Sequence, residues 1–277
     1  MVIIKTQFHL INSDVTDPDQ IITGEALQRR CDYFLADSLD HLRVNPNMHS
    51  EIDKKGITPN TLPIELTTKT STAPVFIYCK SDRVPSKEVF LRIAKEFYLV
   101  LHNSDGNVIW SKYAYLVEIP NLLRVFAQNC TIDHPKFEPI PIGIANSMWP
   151  HGNLKVLLAA IKRIKNGEIP KRSTVYYNCK IHNACAPRIQ CDAVMTKKGI
   201  KNQPAVPYPQ YLETLASYKY AICPEGGGID THRLWECLYL GVTPIVLRNY
   251  MTEYFNKHLD NRLILLDKWE DLDLSTL

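Results

Sequence analysis

Three consecutive glycines, Gly226, Gly227 and Gly228, stand just ahead of a segment in which Asp230, Thr231, His232 and Arg233 are followed by Glu236. Those residue types in that order suit the binding of a phosphorylated ligand. Glycines ahead of a helix let the backbone approach a ligand closely, and the unpaired amides of the helix start, aided by the dipole, favour an anion. Asp230 or Thr231 is placed to cap the helix, and Thr231, His232 and Arg233 fall in its first turn. Cations there oppose the dipole, so they make more sense beside a bound polyanion than at a bare helix end. Glu236 lies one turn beyond Arg233, where a carboxylate accepts hydrogen bonds from ribose hydroxyls. An ordinary turn with a salt-bridged Arg233 and Glu236 accounts for the same spacing.

A second candidate is the polar turn His102-Asn103-Ser104-Asp105-Gly106, which ends an apolar run. Ligands of open α/β sheets bind at the carboxyl ends of strands, where this turn should lie. His102 or Asp105 is there placed to take the proton of a hydroxyl as general base. Asn103 and Asp105 equally suit a turn that satisfies its own backbone. Glu25, in the first turn of an early helix, reads as a helix-dipole carboxylate or as a catalytic one. Arg188, after Pro187, reads by itself as a surface arginine.

Other chemistries are excluded or disfavoured. No Gly-Lys-Ser/Thr run completes a Walker loop, and Thr231 stands where the dinucleotide pattern needs its third glycine. Cys179, His182, Cys185 and Cys191 can be drawn as a zinc set, but they lack a close Cys-x-x-Cys pair. The Asp-x-Asp pairs Asp17/Asp19 and Asp271/Asp273 fall in a turn before a helix and in the terminal segment, so no metal is expected.

The elements that must position these residues alternate between strand and helix. The glycine turn sits between a buried strand at 220–223 and a helix with Leu234, Cys237, Leu238 and Leu240 at apolar spacing; Gly241 stops that helix before a strand at 243–247. Upstream, strands are expected at 2–10, 32–36, 75–79 and 98–102, with helices entered near Thr23 and spanning 86–97. Residues 38–73 read as irregular, a loop long enough to cover an acceptor. Two apolar runs follow, at 124–129 and 138–143, and then a hinge at 146–152. Beyond it come helices at 154–165, from Pro187 onward, at 209–218 and at 251–258. Strands at 174–178 and 263–266 and a helical segment from Lys268 complete the pattern.

The run from Cys223 to Glu236, with Pro224, Gly226, Arg233, Glu236, Gly241 and Pro244 in register, resembles the donor-site segment of exostosin-like glycosyltransferases. The likeness extends to Gly24-Glu25-Ala26-Leu27-Gln28, to the His102–Asp105 turn, and to the Phe-Ala-Gln-Asn and Pro-Ile-Gly segments near 126–129 and 141–143. It implies two facing Rossmann-like α/β domains of the compact GT-B type: residues 1–150 on the acceptor side and 151–277 on the nucleotide-sugar donor side. The last helical segment is expected to pack back on the first domain. The resemblance further implies a nucleotide diphosphate over Gly226, Gly227 and Gly228, Arg233 and Arg188 on phosphate, Glu236 on ribose, and inversion at the transferred sugar. Glu225 departs from it, since a basic residue is frequent at that position and a carboxylate there repels a diphosphate unless it faces the acceptor.

Transfer is expected without a metal or other cofactor, from a UDP-sugar to a hydroxyl of an oligosaccharide or glycoprotein glycan. UDP-xylose is the first choice, because the compact form is most similar to the soluble exostosin-like enzymes of large algal DNA viruses and phages. A carbohydrate-binding or scaffold protein that has kept the fold without catalysis is the alternative. The 277 residues carry a net charge of +3 with signs well mixed, which is not the footprint of a nucleic-acid binder. No secretory signal is visible and no apolar run approaches the ~20 residues of a membrane helix, so a soluble cytoplasmic enzyme is expected, in the host cytoplasm if viral. Of the eight cysteines, Cys31, Cys79, Cys223 and Cys237 fall in expected strands or helices and suit reduced, buried thiols.

Overall fold

Short apolar runs bounded by proline, glycine and polar turns become parallel strands in two separate sheets. The computed structural model describes residues 11–68, 73–181 and 185–277, and the chain divides into two units. One comprises Thr23–Ile142 and Asn146–Met148; the other comprises residues 11–22, Gly143–Ala145 and Trp149–Leu277. The expected strand at 2–10 and His182 of the zinc set lie outside the described residues.

The first unit contains α1 (Gly24–Arg29), β1 (Tyr33–Leu35), α2 (His49–Lys55), β2 (Gly56–Ile57), α3 (Ile64–Thr67), β3 (Val75–Lys80) and α4 (Lys87–Leu91). It continues with β4 (Phe97–His102), α5 (Trp110–Tyr113), β5 (Leu122–Ala127) and β6 (Phe137–Pro139). Its sheet runs β2-β1-β3-β4-β5-β6 with all pairings parallel. Side chains alternate across each strand. Ile77, Cys79, Leu99, Leu101, Val125 and Ala127 enter one core, while Phe76, Tyr98 and Phe126 stack on the opposite face.

Two expectations in this unit are corrected. The segment 38–73 is not irregular throughout, since it supplies α2 and the edge strand β2. Two residues are too short to show a period, and α2 buries only Ile52, so neither leaves a pattern in the sequence. The helix expected over 86–97 ends at Leu91, because the Leu66 carbonyl accepts the Ala94 and Lys95 amides and draws the chain away. Phe97 then opens β4.

The second unit contains α6 (Leu154–Lys165), β7 (Arg172–Tyr176), α7 (Ala186–Lys197), α8 (Tyr208–Ala216), β8 (Tyr218–Ile222) and α9 (His232–Tyr239). β9 (Thr243–Leu247), α10 (Tyr250–His258) and β10 (Ile264–Leu266) follow, then single 3-10 turns at Trp269–Asp271 and Leu274–Thr276. Its sheet runs β10-β9-β8-β7, again parallel. The terminal turns close over the core of this unit. Trp269 and Leu272 are buried with Tyr177, Met195, Ile222 and Ile245 of the second.

The expected boundary near residue 150 is also crossed earlier. Residues 11–22 belong with the second unit, where the Ile22 amide donates to Tyr239 Oη (2.9 Å) and the Ile22 carbonyl accepts the Ile144 amide (2.8 Å). Gly143 has φ +67°, and a Cβ there would lie 2.2 Å from the Ile22 carbonyl oxygen. Only glycine fits that contact.

All eight cysteines are buried and unbridged, and among the described residues no His, Cys, Asp and Glu side chains cluster as a metal site. Among the same residues no helix is long and apolar enough to cross a membrane.

Candidate ligand site at the glycine turn

β8 delivers the chain to the turn, with the Cys223 amide still donating to Ile245 (2.9 Å) before Pro224 breaks the ladder. The Gly226 amide then donates to the Gly228 carbonyl (2.9 Å), so this amide closes the turn and does not point at a ligand. None of the three glycines adopts a positive φ. Gly226 is needed for space: a Cβ there would stand 2.8 Å from Arg188 Nη2. Arg188, in the first turn of α7, lays its guanidinium on this bare backbone and donates through Nε to the Glu225 carbonyl (3.3 Å). A residue that reads as a surface arginine is thus brought to the glycine turn.

α9 begins at the far side of the turn. Thr231 takes the N-cap position without a side-chain bond to the helix, and the other expected cap, Asp230, is buried and accepts from Trp235 Nε1 (2.8 Å). His232 donates from Nδ1 to the Gly143 carbonyl (2.7 Å). Arg233 donates through Nη1 to the Asn178 carbonyl, through Nη2 to Asn178 Oδ1 (3.2 Å) and through Nε to Tyr211 Oη (3.2 Å).

Glu236 is 4% exposed, and no direct ion pair joins it to Arg233. Instead Tyr211 Oη donates to Glu236 Oε2 (2.7 Å) while accepting from Arg233. Burial raises the Glu236 carboxyl above its ordinary range, with Tyr211 and Arg233 opposing. Tyr208 brings a second phenol toward the same carboxylate, its Oη buried and its ionisation suppressed by burial and by Glu236. Glu225 is half-buried, 3.5 Å from Asn249 Nδ2, and burial raises its carboxyl too. A carboxyl shifted toward its neutral form repels a nearby anion less.

The first unit gathers the other candidates. Asn103 has φ +60° and donates its amide to Gln128 Oε1 (2.9 Å); Gln128 Nε2 and Asn129 Nδ2 both hold the Ser104 carbonyl. The Phe-Ala-Gln-Asn segment therefore shapes the turn. His102 is 1% exposed, donates from Nε2 to the Pro141 carbonyl (2.9 Å) and has Asn103 Oδ1 3.2 Å from Nδ1. An imidazole enclosed between two carbonyl oxygens braces the turn. Asp105 stays exposed on it. Glu25, 5% exposed, accepts from Asn45 Nδ2 (2.9 Å) and Ser147 Oγ (3.0 Å) at Oε2 and from the Ser147 amide (3.1 Å) at Oε1, so it ties α1 to Asn45 and Ser147. Gly24 lets this helix approach the turn, since a Cβ there would fall 1.9 Å from Asn103 Oδ1.

Asn178, Tyr208, Tyr211, Gln128 and Asn129 escaped the sequence reading as site residues. Only Tyr208 and Tyr211 left a signal, two phenols one helical turn apart on α8. The two Asp-x-Asp pairs act as caps: Asp17 accepts the Asp19 amide (2.9 Å) and Asp273 the Ser275 amide (2.8 Å). No protein-family model matches the chain, and no curated protein matches it either.

Proposed function

We propose that the protein is a glycosyltransferase that moves a sugar from a UDP-sugar to a hydroxyl of a glycan acceptor, with its two α/β units serving as the halves of a GT-B-type enzyme. The observation that carries this reading is the pair of arginines at the glycine turn. Arg188 lies against Gly226, and Arg233 is held at the start of α9 by Asn178 and Tyr211. Fixed guanidinium groups beside a helix start stabilise the charge that develops on a departing diphosphate, the service a metal ion performs in other transferases. Transfer is read as inverting and metal-independent, with Asp105 as the base that takes the acceptor proton and His102 bracing its turn. UDP-xylose is the first donor to try.

The test is titration with UDP, GDP, CMP and UDP-sugars in excess chelator, followed by melting temperature. A ligand that binds the native state raises that temperature with concentration. A UDP-selective rise, weakened in both Arg188→Ala and Arg233→Ala, is expected. Arg188 matters here because its removal leaves the Asn178–Tyr211 anchorage intact. No rise with any nucleotide would sink the proposal.

The bonds that occupy the Gly226 amide and the Arg233 guanidinium favour a second reading, a glycan-binding protein without turnover. Hydrolysis of donor without acceptor counts against it.

A further inference from the structure

Trp149 is 51% exposed, whereas Trp235 and Trp269 of the same unit are 0% and 2% exposed. A single exposed apolar side chain is ordinary. What sets Trp149 apart is its mounting. Its indole stacks on His151 (6.2 Å between centroids, 19° between planes), and His151 leans on His232 (6.1 Å, 57°). His232 is in turn fixed by its bond to the Gly143 carbonyl, at a glycine that cannot carry a side chain. The row of rings thus runs from solvent to the first residue of α9, next to Arg233. Pro150 and the Asn153 cap of α6, which accepts the Lys155 amide (3.2 Å), fix the backbone beneath it.

The chemistry of this row suits a sugar ring. A sugar presents an apolar C–H face, which packs on an indole, and a rim of hydroxyls, which need both donors and acceptors. Burial, and then His232, hold the His151 imidazole below its ordinary titration range, with Glu236 opposing. A neutral imidazole offers one donor and one acceptor. The ring covalently next to a diphosphate at the α9 start is the sugar being transferred.

We propose that Trp149 and His151 form the subsite for the sugar carried by the nucleotide diphosphate, the indole packing on its C–H face and the imidazole bonding a ring hydroxyl. This rests on the donor-site reading above and adds to it the residues that select the sugar.

The experiment is calorimetric titration of UDP, UDP-xylose, UDP-glucose and UDP-galactose into wild type, Trp149→Ala, Trp149→Phe and His151→Asn, each checked for an intact melting transition. Trp149→Ala should hold UDP within about twofold of wild type and weaken the preferred UDP-sugar by about five- to tenfold; Trp149→Phe should recover part of the loss. His151→Asn should change the ratio between UDP-glucose and UDP-galactose, which differ by one hydroxyl. A wild type that binds no UDP-sugar more tightly than UDP overturns the subsite, and so does a Trp149→Ala variant that keeps the full difference. Either result leaves the donor site standing if UDP itself binds. Absence of UDP binding removes the donor site and the subsite together.

Discussion

The Tyr211 hydroxyl donates to Glu236 Oε2 at 2.7 Å, and that one bond joins α8 to the buried side of α9. Because the same oxygen accepts from Arg233 Nε, the phenol couples a buried carboxylate to a cation without their touching.

Removal of that hydroxyl should be costly. Tyr211→Phe takes away the 2.7 Å donor to Glu236 in a buried site, and a charged group that loses a hydrogen bond there costs about 1–3 kcal/mol. Urea denaturation should show that loss, together with weaker UDP binding because Arg233 loses one of its anchors.

Glu236 itself should give a distinctive pH signature. Its folded carboxyl sits above the ordinary value of 4.5, so the unfolded chain gives up this proton first and stability is lost as pH rises through the folded value. Glu236→Gln removes that loss. The difference in unfolding free energy between Glu236→Gln and wild type should therefore shift in the variant's favour from about pH 4 to pH 7. A constant difference would show that the carboxyl titrates alike in both states.

His151 should act at the opposite edge. Its folded value lies below 6.5, so as pH falls below 6.5 the unfolded chain takes up a proton the folded chain refuses, and stability declines until the folded value is passed. Burial is the main cause of this, His232 adds to it and Glu236 opposes it. His151→Gln should flatten the dependence of melting temperature on pH between about pH 5 and pH 7.

Two glycines should respond differently to the same substitution. At Gly24 a Cβ would meet Asn103 Oδ1 at 1.9 Å inside a tied turn, so Gly24→Ala should cost about 1–3 kcal/mol and displace Asp105. At Gly226 the obstacle is the far end of Arg188, 2.8 Å away, which can swing aside. Gly226→Ala should leave the melting temperature nearly unchanged and weaken UDP binding.

Local periodicity and backbone chemistry were readable directly from the chain. The helix Leu154–Lys165 and the strand Thr243–Leu247 lie where the apolar spacing puts them, and Gly241, at φ +63°, ends α9 where a left-handed residue was needed. The glycine turn between a buried strand and a helix was legible for the same reason. The tertiary structure alone decided the partners. Asn178 reaches Arg233 across 55 positions and Tyr211 across 22, because the parallel order of β7, β8 and β9 stacks their carboxyl ends side by side. It alone shut His102 under Pro141 and joined residues 11–22 to the second unit. Hydrophobic period reports which face of an element is buried; which distant side chain meets it there depends on strand order, and strand order leaves no local mark in the chain.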